Sequence, residues 1–383
     1  MASGLAGLLS WAAEDLRAVT DLPIDPKHFA EHVSSWLRGD VDGDDVVVSC
    51  RVRLARNLHG VPFSSRLDPE RAKQVAQELE PHLRDAGLDG DTQWIPMEEA
   101  SLVLRLMLRE RHLISRDLAP GEDPRRVPPG RAVAFGESER LSVMVNEEDH
   151  LRIQSVAPGF DLDTAFTEAE RVDRFLESRV PFAVRDDLGY LTGCPTNVGT
   201  GLRASVMLHL PALGLVRSEL EKVFTAAQRT GLAVRGLHGE GSRAIGDYYQ
   251  ISNQVTLGRT EASLIDDLRA LVPVIADFER RVRSALLDDQ PAALQDRVSR
   301  SLGVLRTSRS LATDAALGHL STLRLGRYLG LLDSTPMGVL AELGVQIQKG
   351  HILALARPVG EGDLPEPSER DSLRAGLIRR RLA

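Results

Sequence analysis

The sequence predicts an α+β domain over residues 44–262, followed by an all-helical domain over residues 263–383. Three observations carry that reading. Strand-like runs stand close together in the first part, with RAVAFGE, LSVMVNEE and HLRIQSVA in direct succession. From about Ser263 the apolar residues fall at helical spacing almost without a break, as in SLIDDLRALVPVIADFERRVRSALL and PAALQDRVSRSLGVL. The 383 residues suffice for two domains that each bury a core of their own.

Residues 1–43 read as an N-terminal helical segment, broken by DLPIDP and closed by the turn GDVDGDD. DVVVSCRVRLARN then gives a buried strand, Val46 to Cys50, running into an arginine-rich loop. Asp68-Pro69 opens a helix, with Asp as N-cap and Pro at the first position, that runs to about Arg84. A second helix covers about Met97 to Leu108, and the proline-, glycine- and charge-rich segment from Ser115 to Gly130 reads as a surface loop. After the three strands, Asp163 or Thr164 caps a helix ending near Arg179. YLTGCPTNVGTGLR reads as a turn between two strands, with ASVMLHLPAL after it. SELEKVFTAAQRTG is a helix stopped by Gly231, and LAVRGLHGE and DYYQISNQVTLG are strands. In the helical region Pro273 is expected to kink or divide its helix. GHILALARPVGEGDLPEPSE reads as a connector, and a short helix ends the chain.

Aromatic residues make up only 4% of the chain and the net charge is −8, which argues against a nucleic-acid platform built on base stacking or a basic face. No apolar run approaches the roughly 20 residues of a membrane span. The opening MASGLAGLLSWAAEDL lacks the basic start of a secretion signal. The two cysteines, Cys50 and Cys194, are too few for a disulfide framework and fit a reducing compartment. A cytoplasmic protein is expected. Lysine occurs only at Lys27, Lys73, Lys222 and Lys349, so the basic residues are nearly all arginine. Genome-wide codon bias gives that pattern, and so does bidentate phosphate binding, which lysine cannot copy.

The stretch CPTNVGTGLR, Cys194 to Arg203, is the one around which the chemistry gathers. Gly199 and Gly201 permit positive φ or a close approach to an anion, and Arg203 offers a planar cationic fork. Arg51 and Arg53, at i, i+2 spacing, lie on one face of an extended chain. Arg152 follows NEEDHL and Arg235 begins RGLHGE, so five arginines stand in or beside turn-like stretches. A triphosphate carries about four negative charges, and phosphoryl transfer needs fixed cations around it. Neither a GxxxxGKS/T loop nor the HRD and DFG motifs are present, so the phosphate grip would rest on arginine. Glu147, Glu148 and Asp149 in NEEDHLR, and Glu240 in RGLHGEGS, could bind a guanidinium, hold Mg²⁺ through water, or act as base. A guanidinium is a poor nucleophile while protonated, so phosphorylating it calls for carboxylates that orient it and accept its proton. A thiolate at Cys194 would help to bind and polarise the same group.

SCRVRLARN, NEEDHLRI, CPTNVGTGLRASV and RGLHGEGS, in that order, resemble the motifs of the phosphagen (guanidino) kinases over most of residues 44–262. The resemblance implies an antiparallel sheet flanked by helices, ATP and Mg²⁺, and reversible phosphoryl transfer to a guanidino nitrogen. It implies that Arg51, Arg53, Arg152, Arg203 and Arg235 bind phosphate. Glu148 and Glu240 match the two carboxylates on the guanidinium, and Cys194 matches the reactive cysteine. No metal-ligating side chain is assigned.

Two departures separate the chain from creatine and arginine kinases. Only 48 residues precede Ser49, too few for the helical domain that closes over a small substrate in those enzymes. The long helical C-terminal region is also foreign to them. Both features, and the wording LTGCPTNVGTGLRASVMLHLPAL, resemble the bacterial protein-arginine kinases of the McsB type. RDSLRA is similar to that family's RDxxRA motif, which gives Arg370, Asp371, Arg374 and Ala375 as a phosphoarginine-binding tail. On that tail Ser368 is placed to cap the helix, and Leu373 and Leu377 to anchor it. The resemblance further implies protein substrates with exposed arginines, among them a stress-response repressor, and products handed to a Clp-type unfoldase and protease. A zinc-binding activator protein and a homodimer are implied as well. A kinase of free arginine or another small guanidine, and a catalytically silent phosphoarginine-binding adaptor, are the alternatives.

Overall fold

Strand β1, Val47–Arg56, is the middle of the molecule. The computed structural model describes residues 24–38, 45–118, 127–236, 245–356 and 365–383. Along the chain β1 is followed by β2 (Gln93–Pro96), β3 (Ala132–Phe135), β4 (Leu141–Val145), β5 (Leu151–Pro158), β6 (Val184–Arg185), β7 (Gly189–Tyr190), β8 (Leu202–His209), β9 (Leu232–Gly236) and β10 (Tyr248–Asn253). Eight of these form one sheet in the order β2-β3-β4-β5-β1-β8-β10-β9, and every pairing in it is antiparallel. β6 and β7 make a separate hairpin.

β1 runs twice as far as the expected Val46 to Cys50 strand, so Arg51 and Arg53 stand on it and not on a loop. VVSCRVRLAR alternates: Cys50, Val52 and Leu54 are buried on one face, while Arg51 and Arg53 are half-buried on the other. Ladders to β5 and β8 satisfy the backbone on both sides, which holds the strand extended through its charged residues. The Cys50 face is the core face. Helices Pro69–Asp85, Leu162–Glu177 and Arg217–Arg229 cover it, with Leu79, Val172 and Val223 among the residues they bury.

The helix ends follow capping chemistry. Asp68 accepts from the Arg71 N–H at 2.8 Å, as expected. The cap of the helix Leu162–Glu177 is Asp161, not Asp163 or Thr164; its Oδ1 accepts from the Thr164 N–H at 2.9 Å. The second helix starts later than expected, at Leu102 after the N-cap Ser101, because Met97 to Ala100 turn the chain between β2 and the helix.

The helix Glu261–Asp289 opens the helical part of the chain, yet its buried face, with Leu264, Leu268 and Val272, joins the core of the sheet. It passes through Pro273 undivided. Pro273 and Arg269, whose carbonyl loses its donor, both lie on the exposed face, where water replaces the missing bond. Beyond it, helices Pro291–Thr307, Thr313–Tyr328, Met337–Gln346 and Pro367–Arg381 enclose a second core around Leu323, Leu343 and Ile378.

GHILALA, expected as connector, is helical within Lys349–Ala356. It returns to the first region and packs Leu353 and Ala354 against the helix Leu102–Glu110. Gly350 is needed there: a Cβ would lie 2.7 Å from that of Leu106 and 2.8 Å from the Met107 nitrogen. Glu110 seals the junction, accepting from the N–H of Gly350 at 2.7 Å and from His351 Nδ1 at 2.8 Å. Among the described residues no helix is long and apolar enough to cross a membrane.

Candidate active site

Sheet register collects the arginines. Arg53 stands directly opposite Arg203 on β8, and Ala55, on the same face of β1, opposite Arg152 on β5. Arg51, two residues back, faces Ser205 and Val156. Arg152, Arg53, Arg203 and Arg51 therefore occupy three adjacent rows of one sheet face. Arg235 shares that face from the edge strand β9, opposite Gln250, whose Oε1 accepts from Arg51 Nη2 at 3.2 Å. All five lie within strands: Arg152, Arg203 and Arg235 next to strand ends, as expected, and Arg51 and Arg53 inside β1 instead of on a loop.

Crowding these cations has an electrostatic consequence. Burial and then the neighbouring charges of Arg152 and Arg203 pull Arg51 down to about 10. Arg53 is held well below the usual arginine value by burial, with Arg51, Arg152 and Arg203 adding to the effect and Glu147 opposing it. The Arg53 Nε is buried without a hydrogen bond. Such a surface gains from any polyanion laid across it.

The three acids of NEEDHLR have separate duties. Glu147 is 4% exposed and accepts from Arg152 Nη1 at 2.7 Å and from the Ser115 hydroxyl at 2.5 Å. Asp149 is wholly buried, and its Oδ1 accepts from Asn57 Nδ2 and from the Gly193 N–H, both at 2.6 Å. Only Glu148 is open: its side chain is 41% exposed, with Oε2 2.7 Å from Arg152 Nη2. Burial raises the proton affinity of Glu148, and Asp149, Glu147 and Asp117 add to the rise against the pull of Arg152.

The Asp149–Gly193 bond brings Cys194 to Glu148. At Gly193 a Cβ would sit 2.8 Å from the Glu148 carbonyl oxygen, so the two loops touch through glycine. Cys194 is half-buried, its Sγ 3.1 Å from the Thr196 hydroxyl. The glycines after it serve the fold: Gly201, at φ +65°, packs against the Ala55 carbonyl and the guanidinium of Arg56. Arg56 itself is buried in a bidentate pair with Asp173, at 2.9 and 2.7 Å, and lies 3.5 Å from the Tyr190 ring centre. That pair props the loop from beneath.

At the other end of the face a cleft opens beside Arg51. Ser49, Ser205, Tyr248 and Gln250 line it from the sheet, and Leu317, Arg324 and Gly344 from the helical region. The sequence did not single these out. Gln250 and Tyr248 alternate in DYYQISN, a signal that becomes readable only once β10 is registered to β8. Glu240 lies outside the described residues.

The tail is held differently from its expected form. Glu366, not Ser368, is the N-cap position, without a side-chain bond, and Ser368 lies inside the helix. Arg374, Ala375 and Ile378 are buried, and Leu377 packs against the helical core as expected, while Leu373 lies partly exposed along a groove beside Ile352 and Leu355. Arg374 Nε donates to the Ile347 carbonyl at 2.7 Å, and its Nη1 to the Leu311 carbonyl at 2.8 Å and Asp371 at 2.5 Å. Arg370 Nη1 donates to the Pro365 carbonyl at 2.8 Å.

An antiparallel sheet with clustered arginines on one face, a carboxylate and a thiol at their end, defines a guanidino phosphotransferase. Residues 74–282 match the ATP:guanido phosphotransferase C-terminal catalytic domain, and residues 291–383 the protein-arginine kinase McsB C-terminal domain. The chain is 40% identical over 359 residues to the protein-arginine kinase of Bacillus subtilis, covering 93% of this chain and 95% of that one. To the protein-arginine kinase of Halothermothrix orenii it is 40% identical over 354 residues, covering 92% and 97%. Among solved structures it is similar to the duplicated taurocyamine kinase of Schistosoma mansoni (28% identity, TM-score 0.55, covering 65% of this chain and 36% of that one). A lombricine kinase gives 25% identity and a TM-score of 0.53, covering 66% and 72%. The chain belongs to the protein-arginine kinase family.

Proposed function

We propose that the protein transfers the γ-phosphoryl group of ATP to arginine side chains of other proteins. The observation that carries this reading is the polarity of one sheet face. Glu148 and the Cys194 loop stand at one end, four arginines in the middle, and the cleft beside Arg51 at the other. From Ala55 to Ser49 β1 covers ~20 Å, room for an extended nucleotide with its γ-phosphate toward Glu148. The arginines offset the charge that spreads over the transferring group. Glu148 orients the incoming guanidinium and takes one of its protons, while the nitrogen forms a bond to phosphorus and the bond to the ADP oxygen breaks. Burial raises its proton affinity above that of an ordinary glutamate, the direction that favours accepting a proton. Cys194 would polarise the same guanidinium, and Glu240 would be the second carboxylate.

Among the described residues no cluster of three side chains could hold a metal. Mg²⁺ would enter this site as the nucleotide's counter-ion, held chiefly by phosphate oxygens and water.

The exposure of Glu148 favours arginines on flexible polypeptide segments over free arginine, because neighbouring residues of the segment add contacts. The same reading places the enzyme in the cytoplasm as a homodimer, with a zinc-binding activator and a Clp-type unfoldase receiving its products. One assay tests the activity: ATP is supplied with an unfolded arginine-rich protein and with free arginine, and acid-labile phosphate is measured on each. Phosphate on protein arginines is the expected result. Equal turnover on free arginine would shift the assignment to a small-guanidine kinase, and no phosphate on either to an adaptor.

A further inference from the structure

Arg324, on the helix Thr313–Tyr328, reaches the cavity that opens beside Arg51. Its side chain is only 6% exposed, and its Nε has no hydrogen-bond partner. Nη2 lies 3.4 Å from the Tyr328 hydroxyl, and Tyr248 is its other neighbour. Among the described residues no carboxylate forms an ion pair with it. Glu110 lines the same cavity, but its oxygens are taken by Gly350 and His351. A buried guanidinium left with tyrosines alone is costly unless a ligand completes its shell.

We infer that Arg324 is a nucleotide contact contributed by the helical domain, holding the nucleoside end of ATP while the sheet arginines hold the phosphates. The inference rests on the functional reading above and extends it. Arg152, Arg53, Arg203 and Arg51 run from the acceptor end to the cavity, so the part of the nucleotide beyond Arg51 enters a space walled by both regions. A guanidinium there presents donors to the acceptor atoms of ribose and base. The helical domain thereby becomes one wall of the catalytic site.

Two variants test this by calorimetry with ATP and with inorganic triphosphate as separate probes. Arg324→Gln removes the charge and the fork. Gly344→Leu fills the cavity from the helical side; a Cβ at Gly344 meets nothing within 4 Å, and leucine favours the helix, so this variant keeps the fold. Both are expected to weaken ATP about tenfold or more and to leave triphosphate within about twofold. ATP affinity unchanged in Gly344→Leu overturns the inference even if Arg324→Gln does not fold. An equal loss for both probes in Arg324→Gln also overturns it, since the residue would then act as bulk charge or as a strut. A wild-type protein that binds neither probe would instead remove the kinase reading itself.

Discussion

Glu147, Glu148 and Asp149 are adjacent acids with different tasks, and substitution should separate them. Glu148→Gln is expected to cost roughly 10²–10⁴-fold in turnover with a nearly unchanged melting temperature, because the side chain is partly exposed and the amide oxygen can still accept from Arg152. Asp149→Ala should lower both. It strands two buried donors, the Asn57 amide and the Gly193 N–H, at about 1–3 kcal/mol each, and frees the Cys194 loop. Thermal melts beside initial rates distinguish the two, and a Glu148→Gln enzyme with normal turnover would falsify the assigned role. The pH profile follows from the burial of Glu148. Its raised affinity means that it takes up a proton at higher pH than the ordinary 4.5, so activity is present above the shifted value and lost as pH falls through it. The acid limb of kcat/KM should lie above pH 4.5; a limb at or below it counts against Glu148 as the ionised group. That Arg51 and Arg53 share a face was legible from their spacing. That Arg152 and Arg203 join them was not, because cross-strand register is a tertiary property.

At the level of elements, the strands and helices with strong periodicity were legible, and the misreadings have physical causes. β2 is four residues long and carries no alternation to read. Pro273 looked like a break because sequence does not tell which face of a helix meets water. GHILALA reads as connector because a Pro/Gly-rich stretch follows it directly and its seven residues are too few to show a helical period. The tail helix is the clearest case of a motif whose two arginines diverge. Arg374 is tied to two main-chain carbonyls, whereas Arg370 holds one. We expect Arg374→Ala to lower the melting temperature by several degrees. Arg370→Ala should leave stability alone and, if the tail reads phosphoarginine, abolish calorimetric binding of the free amino acid derivative. Binding undiminished in Arg370→Ala would leave the tail as a structural helix only.

The whole molecule is wrapped, not strung as beads. The chain leaves the sheet, builds the helical core, and returns through Lys349–Ala356 to pack on Leu104 and Met107. Arg111, paired with Glu139 at 2.5 Å, adds the N-terminal segment by donating to the carbonyls of Phe29 and His32 and contacting His351 at 3.1 Å. A chain cut after Gln348 should therefore not yield a free-standing catalytic domain. It should melt well below the full chain and be cleaved by protease within the helix Leu102–Glu110. Retention of the full-length melting temperature would contradict the wrapped arrangement.

β1 also carries an irregularity, a register shift against β8 between Val47 and Ser49. A strand tolerates an exchanged side chain far better than a changed length, since one extra residue turns every later side chain to the opposite face. Gain of a single codon between Cys50 and Leu54 would drive Arg53 into the core and lift Leu54 onto the phosphate face. The same codon gained at Val48 would enlarge a bulge that already exists. Insertion of one alanine at each position of β1 should thus give inactive protein past Cys50 and active protein at Val48. The residue count of this strand, more than the identity of any one residue in it, decides which side chains reach the phosphate face.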